Sequence, residues 1–152
     1  MNTATLKAYA RAQGLNQSAI AKAAGVTRQA VSIWFSKQGK VDLLSSTLQR
    51  LALSLGVTGE ALSQPLPILG DPVERKKWET DLLWDRLYPD LESFVAGVNR
   101  GQKTALARLV QMCGLYQAEK IAGRQVWKKF ESYKALIHPA RRREAEILWK
   151  TR

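Results

Sequence analysis

A chain of 152 residues has room for one ordinary domain or two small ones, and its 45% hydrophobic content, with aromatics spread along its length, excludes wholesale disorder. Its 24 Lys and Arg against 13 Asp and Glu give a net charge of +11, a field that attracts nucleic acid, anionic membrane or an acidic protein. A single cysteine, Cys113, excludes an internal disulfide and a cysteine-based zinc site, and the single histidine, His138, is expected to pack or cap rather than to catalyse. No Gly-rich phosphate loop or dinucleotide fingerprint is present, so no catalytic residue, cofactor or metal ligand is expected. The start lacks the pattern of a secretory signal and no run approaches the roughly 20 apolar residues of a membrane helix, which together predict a cytosolic protein that does not engage a membrane.

From the start to residue 64, alanine-rich and leucine-rich segments of helical length alternate with breaks at Gly14, Gly25, Gly39 and Gly56, and strand-like alternation is missing. Within them "QSAIAKAAGVTRQAVSIWF" begins at Gln17. Ile20, Ala21 and Ala24 share one helix face, Gly25 permits a left-handed turn, and Thr27 is placed to cap the next helix. Two helices therefore meet across a turn of three to four residues. Ala21 must be small where the second helix crosses, and Val26, Val31 and Trp34 close the core between the two.

These residues resemble the helix-turn-helix of the Cro and phage-repressor (XRE) family of bacterial regulators. The resemblance runs from about Leu6 to Leu62 and takes in Gln17, Ala21, Gly25-Val26, the "TRQAVSIW" helix, and "STLQRLALSLGV", which is similar to the family's last helix. It departs at Phe35, Ser36 and Lys37, where many relatives carry an acidic residue followed by Asn-Gly. The resemblance implies a five-helix, lambda-repressor-like domain over residues 1–64 that binds double-stranded DNA.

A recognition helix presents its N-terminal residues to base edges in the major groove, which makes Thr27, Arg28, Gln29, Ser32 and Ile33 the candidates for reading sequence. Arg28 suits a guanine and Gln29 an adenine. Ile33 either meets a thymine methyl or packs as a partly buried residue. Gln17 stands where the family's second helix points its N-terminus at phosphate, and Lys22, Ser36, Lys37, Gln38 and Lys40 are candidates for further backbone contacts, with simple solvation the alternative for the lysines. One such domain reads only a few base pairs, so a homodimer on an inverted repeat is expected.

The segment "QPLPILGDP" concentrates prolines and a glycine, and residues 65–72 are read as a linker. Residues 73–152 then read as a second, helical domain for oligomerisation or partner binding. In "PVERKKWETDLLWDRLY" the residues Trp78, Leu82, Asp85 and Tyr88 fall on adjacent turns, widened by Leu83 and Trp84, in a helix that ends near Pro89. Leu106, Leu109, Val110 and Cys113 share helical spacing, and a last helix from Pro139 carries Ala145, Leu148 and Trp149 on one face. The four tryptophans of this half are read mainly as core, with one or two covering a dimer interface.

Charge is unevenly placed. Residues 65–99 hold four basic against seven acidic side chains, and residues 100–152 thirteen against four, so the net moves from −3 to +9. Arg141, Arg142 and Arg143 fall in the first turn of the last helix, at the unfavourable end of its dipole, where Glu144 and Glu146, DNA phosphate or an acidic partner would compensate them. The stretch from Val98 to Trp149 is similar overall to small regulators paired with nucleotidyltransferase-type toxins of the abortive-infection class. The sequence thus predicts an all-α, non-enzymatic, sequence-specific DNA-binding regulator, dimeric and repressing its own gene, with an antitoxin that neutralises a cognate toxin through its second half as the alternative.

Overall fold

In the computed structural model, which describes residues 1–67 and 72–152, Asn2 starts the first helix by accepting a hydrogen bond from the Thr5 amide at 3.1 Å. Helix α1 (Thr3–Ala12) then buries Leu6, Ala8, Tyr9 and Ala10. The same device opens α2 (Gln17–Ala24) through Asn16, α3 (Arg28–Ser36) through Thr27 and α5 (Gly59–Ser63) through Thr58, each side-chain oxygen taking an otherwise unpaired amide three residues on. Helix α4 (Ser45–Leu55) lacks a side-chain cap at its start and ends, like α2, on a left-handed glycine, Gly56 at φ 66° and Gly25 at φ 70°. Between Gly25 and Thr27 lies the tight turn that the spacing predicts.

The core of this unit joins Leu6, Tyr9, Ile20, Ala21, Ala24, Val31, Trp34, Leu51, Leu55 and Leu62, with Val26 and Phe35 packed at its edge. Small residues at 21 and 24 let the second and third helices approach, and Val31 and Trp34 fill the space so made. The loop after α3 is pinned to the chain start. Thr3 donates to the Gly39 carbonyl from both its amide (2.9 Å) and its hydroxyl (3.1 Å), the Val41 amide donates to Met1 (2.9 Å), and Asn2 and Lys40 form an isolated antiparallel bridge. Otherwise the described residues are helical or irregular, an all-α chain with five helices in its first part and a helical second part.

The expected linker, 65–72, falls partly on residues 68–71, which lie outside the described residues. By compactness the chain forms two units: one runs from Met1 to the linker and takes in Tyr88–Ala96, and the other comprises the segment up to Leu87 and Gly97–Arg152. The Tyr88–Ala96 segment joins the first unit through identifiable contacts. Ala96 lies in the first unit's core and Asp90 pairs with Arg11 at 2.6 Å, while within the segment Tyr88 and Phe94 meet edge to face at 5.4 Å. Asp90 also caps α7 (Leu91–Arg100), accepting from the Ser93 amide and hydroxyl at 2.8 and 2.5 Å. Burial raises the Asp90 pKa, but these bonds from Ser93 and Arg11 outweigh it and hold the carboxyl below its ordinary range.

The second unit is built on α6 (Pro72–Leu83) and α8 (Lys103–Ala122), followed by the single turns α9 (Gln125–Lys128) and α10 (Phe130–Tyr133), a 3-10 turn over Lys134–Leu136, and α11 (Pro139–Lys150). Leu106, Leu109, Val110, Leu115, Val126, Phe130, Tyr133 and Ile137 are buried, and Trp149 stacks on Phe130 at 5.6 Å. Helix α8 is interrupted at Gly114, whose φ of 77° and ψ of 168° only glycine adopts without strain. Cys113, just before that break, is half-buried, and burial pushes its thiol up to about 11. His138 caps α11 through Nδ1, which accepts from the Ala140 amide at 3.4 Å.

Two expectations are corrected here. Helix α6 ends at Leu83, not near Pro89, and Arg86 follows in the left-handed region at φ 57°. Trp84, read as part of an apolar core stripe, is 74% exposed, because the chain leaves the helix one residue before it and Leu82 alone turns inward as a fully buried side chain. Beside it the Arg108 guanidinium forks onto Asp85 and also donates to the Leu82 carbonyl at 2.7 Å. That fork, opposed in part by desolvation, lowers the Asp85 pKa to about 2. A lowered native pKa stabilises the fold above the ordinary carboxylate value and the effect is lost as pH falls through the native one. Asp85→Asn is therefore expected to cost on the order of 1 kcal/mol at neutral pH, after allowance for solvent screening. In urea titrations the gap between the two proteins should close as pH falls from about 4 to about 2; a gap that persists unchanged at the acid end would contradict the role given to the pair.

Candidate nucleic-acid interface

Helix α3 has two faces. Val31 and Trp34 are buried, whereas Thr27, Arg28, Gln29, Ser32 and Ile33 are all exposed, Ile33 by 49%. Arg28, Gln29, Ser32 and Ile33 follow the one-and-four spacing that puts side chains on adjoining turns of one helix surface. Their neighbours on α3 cannot turn outward without emptying the core. Among the described residues Arg28, Gln29 and Ser32 have no side-chain hydrogen bond or ion pair, so their donors and acceptors are available to a ligand. Thr27 differs. Its hydroxyl accepts from the Ala30 amide at 3.2 Å and is committed to starting the helix.

The residues read as backbone contacts surround this row. Gln17 is the first residue of α2, half-buried, at the positive end of that helix's dipole. Lys22, Lys37, Gln38 and Lys40 are exposed, and the pinned loop fixes the backbone that carries the last three. The Ser36 hydroxyl donates to the Ile33 carbonyl at 2.9 Å. At the departure from the family pattern, Phe35 is half-buried with the Lys7 ammonium 5.7 Å from its ring centre, so the aromatic ring serves packing and a cation contact. Residues 1–41 contain six basic and no acidic side chains, which gives this surface one sign of charge.

Sequence reasoning missed Arg50. Its guanidinium lies against the Gly25 turn, close enough that a Cβ on that glycine would sit 2.5 Å from Nη1, and its Nε donates to the Ser46 carbonyl at 3.4 Å. Arg50 is exposed and adds a cation beside the turn between α2 and α3. Nothing local marks it, since it comes from α4 and meets Gly25 only through folding.

The three arginines at the start of α11 have separate surroundings. Arg142 does not pair with Glu146, as the four-residue spacing suggested. Its Nε and Nη2 donate to the Ile137 carbonyl at 3.2 and 2.9 Å, and Nη2 also to Ala135 at 2.8 Å, so it closes the 3-10 turn. Arg141 pairs with Glu144 at 3.3 Å on the surface, where such pairs stabilise little. Arg143 is exposed and without a side-chain partner among the described residues.

Among the described residues no group of three or more His, Cys, Asp or Glu side chains is placed to hold a metal ion, and no helix is long and apolar enough to cross a membrane. No curated protein and no solved structure matches the chain. Residues 6–62 match the family model described as Helix-turn-helix, over the same helices, turn and exposed row. That part of the chain is similar to helix-turn-helix domains.

Proposed function

We propose that the protein is a sequence-specific transcriptional repressor that binds an inverted-repeat operator as a homodimer and controls its own gene. The observation that carries this reading is the row Arg28, Gln29, Ser32 and Ile33, exposed and outward on a helix whose opposite side is locked into the core. Arg28 and Gln29 have the fork-shaped donors and acceptors that distinguish guanine and adenine in the major groove. Ser32 and the Ile33 side chain extend the same row, and Thr27 contributes from the helix cap. Gln17, Lys22, Lys37, Gln38 and Lys40 hold the phosphates on either side, and Ser36 joins them by turning its hydroxyl away from the Ile33 carbonyl. A single reading helix covers too few base pairs to select one site among many, which is the reason for two copies.

The test is a footprint of the purified chain on DNA upstream of its own gene, at physiological salt and with excess random competitor. A protected inverted repeat is the expected result, and protection nowhere in that region contradicts autoregulation. Lys37→Ala should weaken operator and random DNA by the same factor, because a phosphate contact carries no base information. A change in the ratio of the two affinities would move Lys37 into the base-reading group.

The antitoxin reading rests on the second unit, where residues 100–152 carry a net charge of +9 and Arg141 and Arg143 stand exposed at the start of α11. An acidic toxin would bind that surface, as would DNA phosphate. Co-purification with a protein encoded next to the gene, lost in the Arg141→Glu, Arg143→Glu double variant, is the result this alternative requires.

A further inference from the structure

Around the junction of α7 and α8 the second unit carries cations and almost no acid. Residues 93–130 hold seven Lys and Arg against one acidic side chain, Glu119. That carboxylate is taken by Arg152, whose guanidinium forks onto it at 2.8 and 2.9 Å, and Arg108 is likewise taken by Asp85. Folding gathers four of the remaining cations. Gln125 donates from α9 to the Val98 carbonyl at 2.9 Å, and the Lys129 ammonium reaches the Gly101 carbonyl at 3.4 Å. Lys129 thereby stands beside Arg100, directly before Gly101, and Lys103, two residues after it. Lys128, three residues on from Gln125, lies on the adjoining surface of the same turn. Lys103, Lys128 and Lys129 are exposed and Arg100 is half-buried. Arg100, Lys103 and Lys128 have no side-chain partner among the described residues, and Lys129 keeps further donors after its bond to Gly101. The next acid along the chain, Glu131, is committed to Lys134 at 2.7 Å.

We infer that Arg100, Lys103, Lys128 and Lys129 form a second DNA-contacting surface, one that binds duplex phosphate without regard to sequence; the inference rests on the DNA-binding reading above. Two observations select a nucleic-acid backbone over an acidic protein. First, the patch has charge without apolar surface. The exposed large apolar side chains of the described residues all fall outside 97–108 and 120–130, whereas a protein partner is held by an apolar centre that both sides remove from water. Four like charges without a free counter-charge instead suit a regular line of phosphates, whose condensed counterions they displace. Second, in the DNA-binding reading a duplex is already a partner of this chain. A further contact from the same chain is then intramolecular, so even a patch of a few charges adds to affinity. Such contacts raise affinity for every sequence alike and leave discrimination to α3.

The experiment uses the full chain and a random-sequence duplex, with binding followed by fluorescence anisotropy between about 50 and about 200 mM salt. Arg100→Gln, Lys103→Gln, Lys128→Gln and Lys129→Gln together should flatten the plot of log affinity against log salt by about 2 or more in slope, since each lost phosphate contact removes about 0.9. The ratio of operator to random affinity and the thermal unfolding midpoint should not move. Arg100→Lys with Lys103→Arg, Lys128→Arg and Lys129→Arg keeps the charge and should keep the parent slope. Lys76→Gln, Lys77→Gln, Arg86→Gln and Lys150→Gln remove equal charge elsewhere and should leave the slope nearly as it was. A second measurement needs no variant: bound duplex should shield Lys103, Lys128 and Lys129 of the parent chain from an amine-acylating reagent, and not Lys76 or Lys77. An unchanged slope in the patch variant, an equal fall in the charge-matched control, or lysines that stay reactive overturns the inference and leaves the DNA-binding reading standing. A patch variant that binds DNA as before but no longer co-purifies with an acidic protein gives the surface to that partner and also overturns it. A parent chain that binds no duplex at all overturns both.

Discussion

Arg28→Ala is expected to remove most of the discrimination between operator and random DNA without loosening the fold. Arg28 opens α3, is exposed, and is without a side-chain partner among the described residues, so its truncation leaves no cavity and no orphaned charge there. A fork of two hydrogen bonds to one base discriminates by about 1–3 kcal/mol, and a dimer on an inverted repeat loses it twice, which corresponds to at least ~30-fold in affinity ratio. Fluorescence anisotropy on operator and scrambled duplexes, with thermal unfolding as a control, measures both halves of the claim. Gln29→Ala should behave in the same way at its own base pair. An unchanged ratio in both variants, with the fold intact, would remove the row from base reading.

Trp34→Ala should have the opposite signature. Trp34 lies six residues along the same helix but on its buried side, and the indole fills the space between α3 and the helices that support it. Its removal is expected to cost about 3–5 kcal/mol, a large share of the 5–15 kcal/mol that holds a small domain together. Urea unfolding followed by circular dichroism should show the first transition displaced or lost, and binding to operator and random DNA should fall together. Trp34→Phe, which keeps most of the volume, should recover the larger part of both. If Trp34→Ala left the unfolding midpoint unchanged, the assignment of the inner face would be wrong.

Together these substitutions separate two properties written into nine residues. The outward row is conditioned only by chemistry available to a ligand, whereas the inward pair is conditioned by packing.

Local features were legible from sequence because they are set by neighbours along the chain. Thr27 as a cap, Gly25 in the left-handed region, a small Ala21 at the crossing and Val31 and Trp34 inside all follow from steric and hydrogen-bond rules acting within a few residues. Trp84 was not legible. Helical spacing marks an apolar stripe but is silent on where the helix stops, and the end of α6 at Leu83 carries Trp84 out to solvent. Arg142 was misassigned for a related reason: its acceptors are carbonyls freed by a 3-10 turn whose presence no residue pattern announces. Arg50 at Gly25, and the Tyr88–Ala96 segment held by Arg11 and the first unit's core, depend on contacts between residues distant in sequence.

The amino-acid sequence by itself therefore determined the helical class, the two helices that meet across the Gly25 turn and the outward row of α3, since capping, glycine conformation and apolar periodicity operate locally. Only the tertiary structure decided which cations are engaged by carbonyls or carboxylates, which tryptophan stays in water, and to which unit each segment belongs. Those outcomes turn on solvent exclusion and on hydrogen-bond partners that distant parts of the chain bring together.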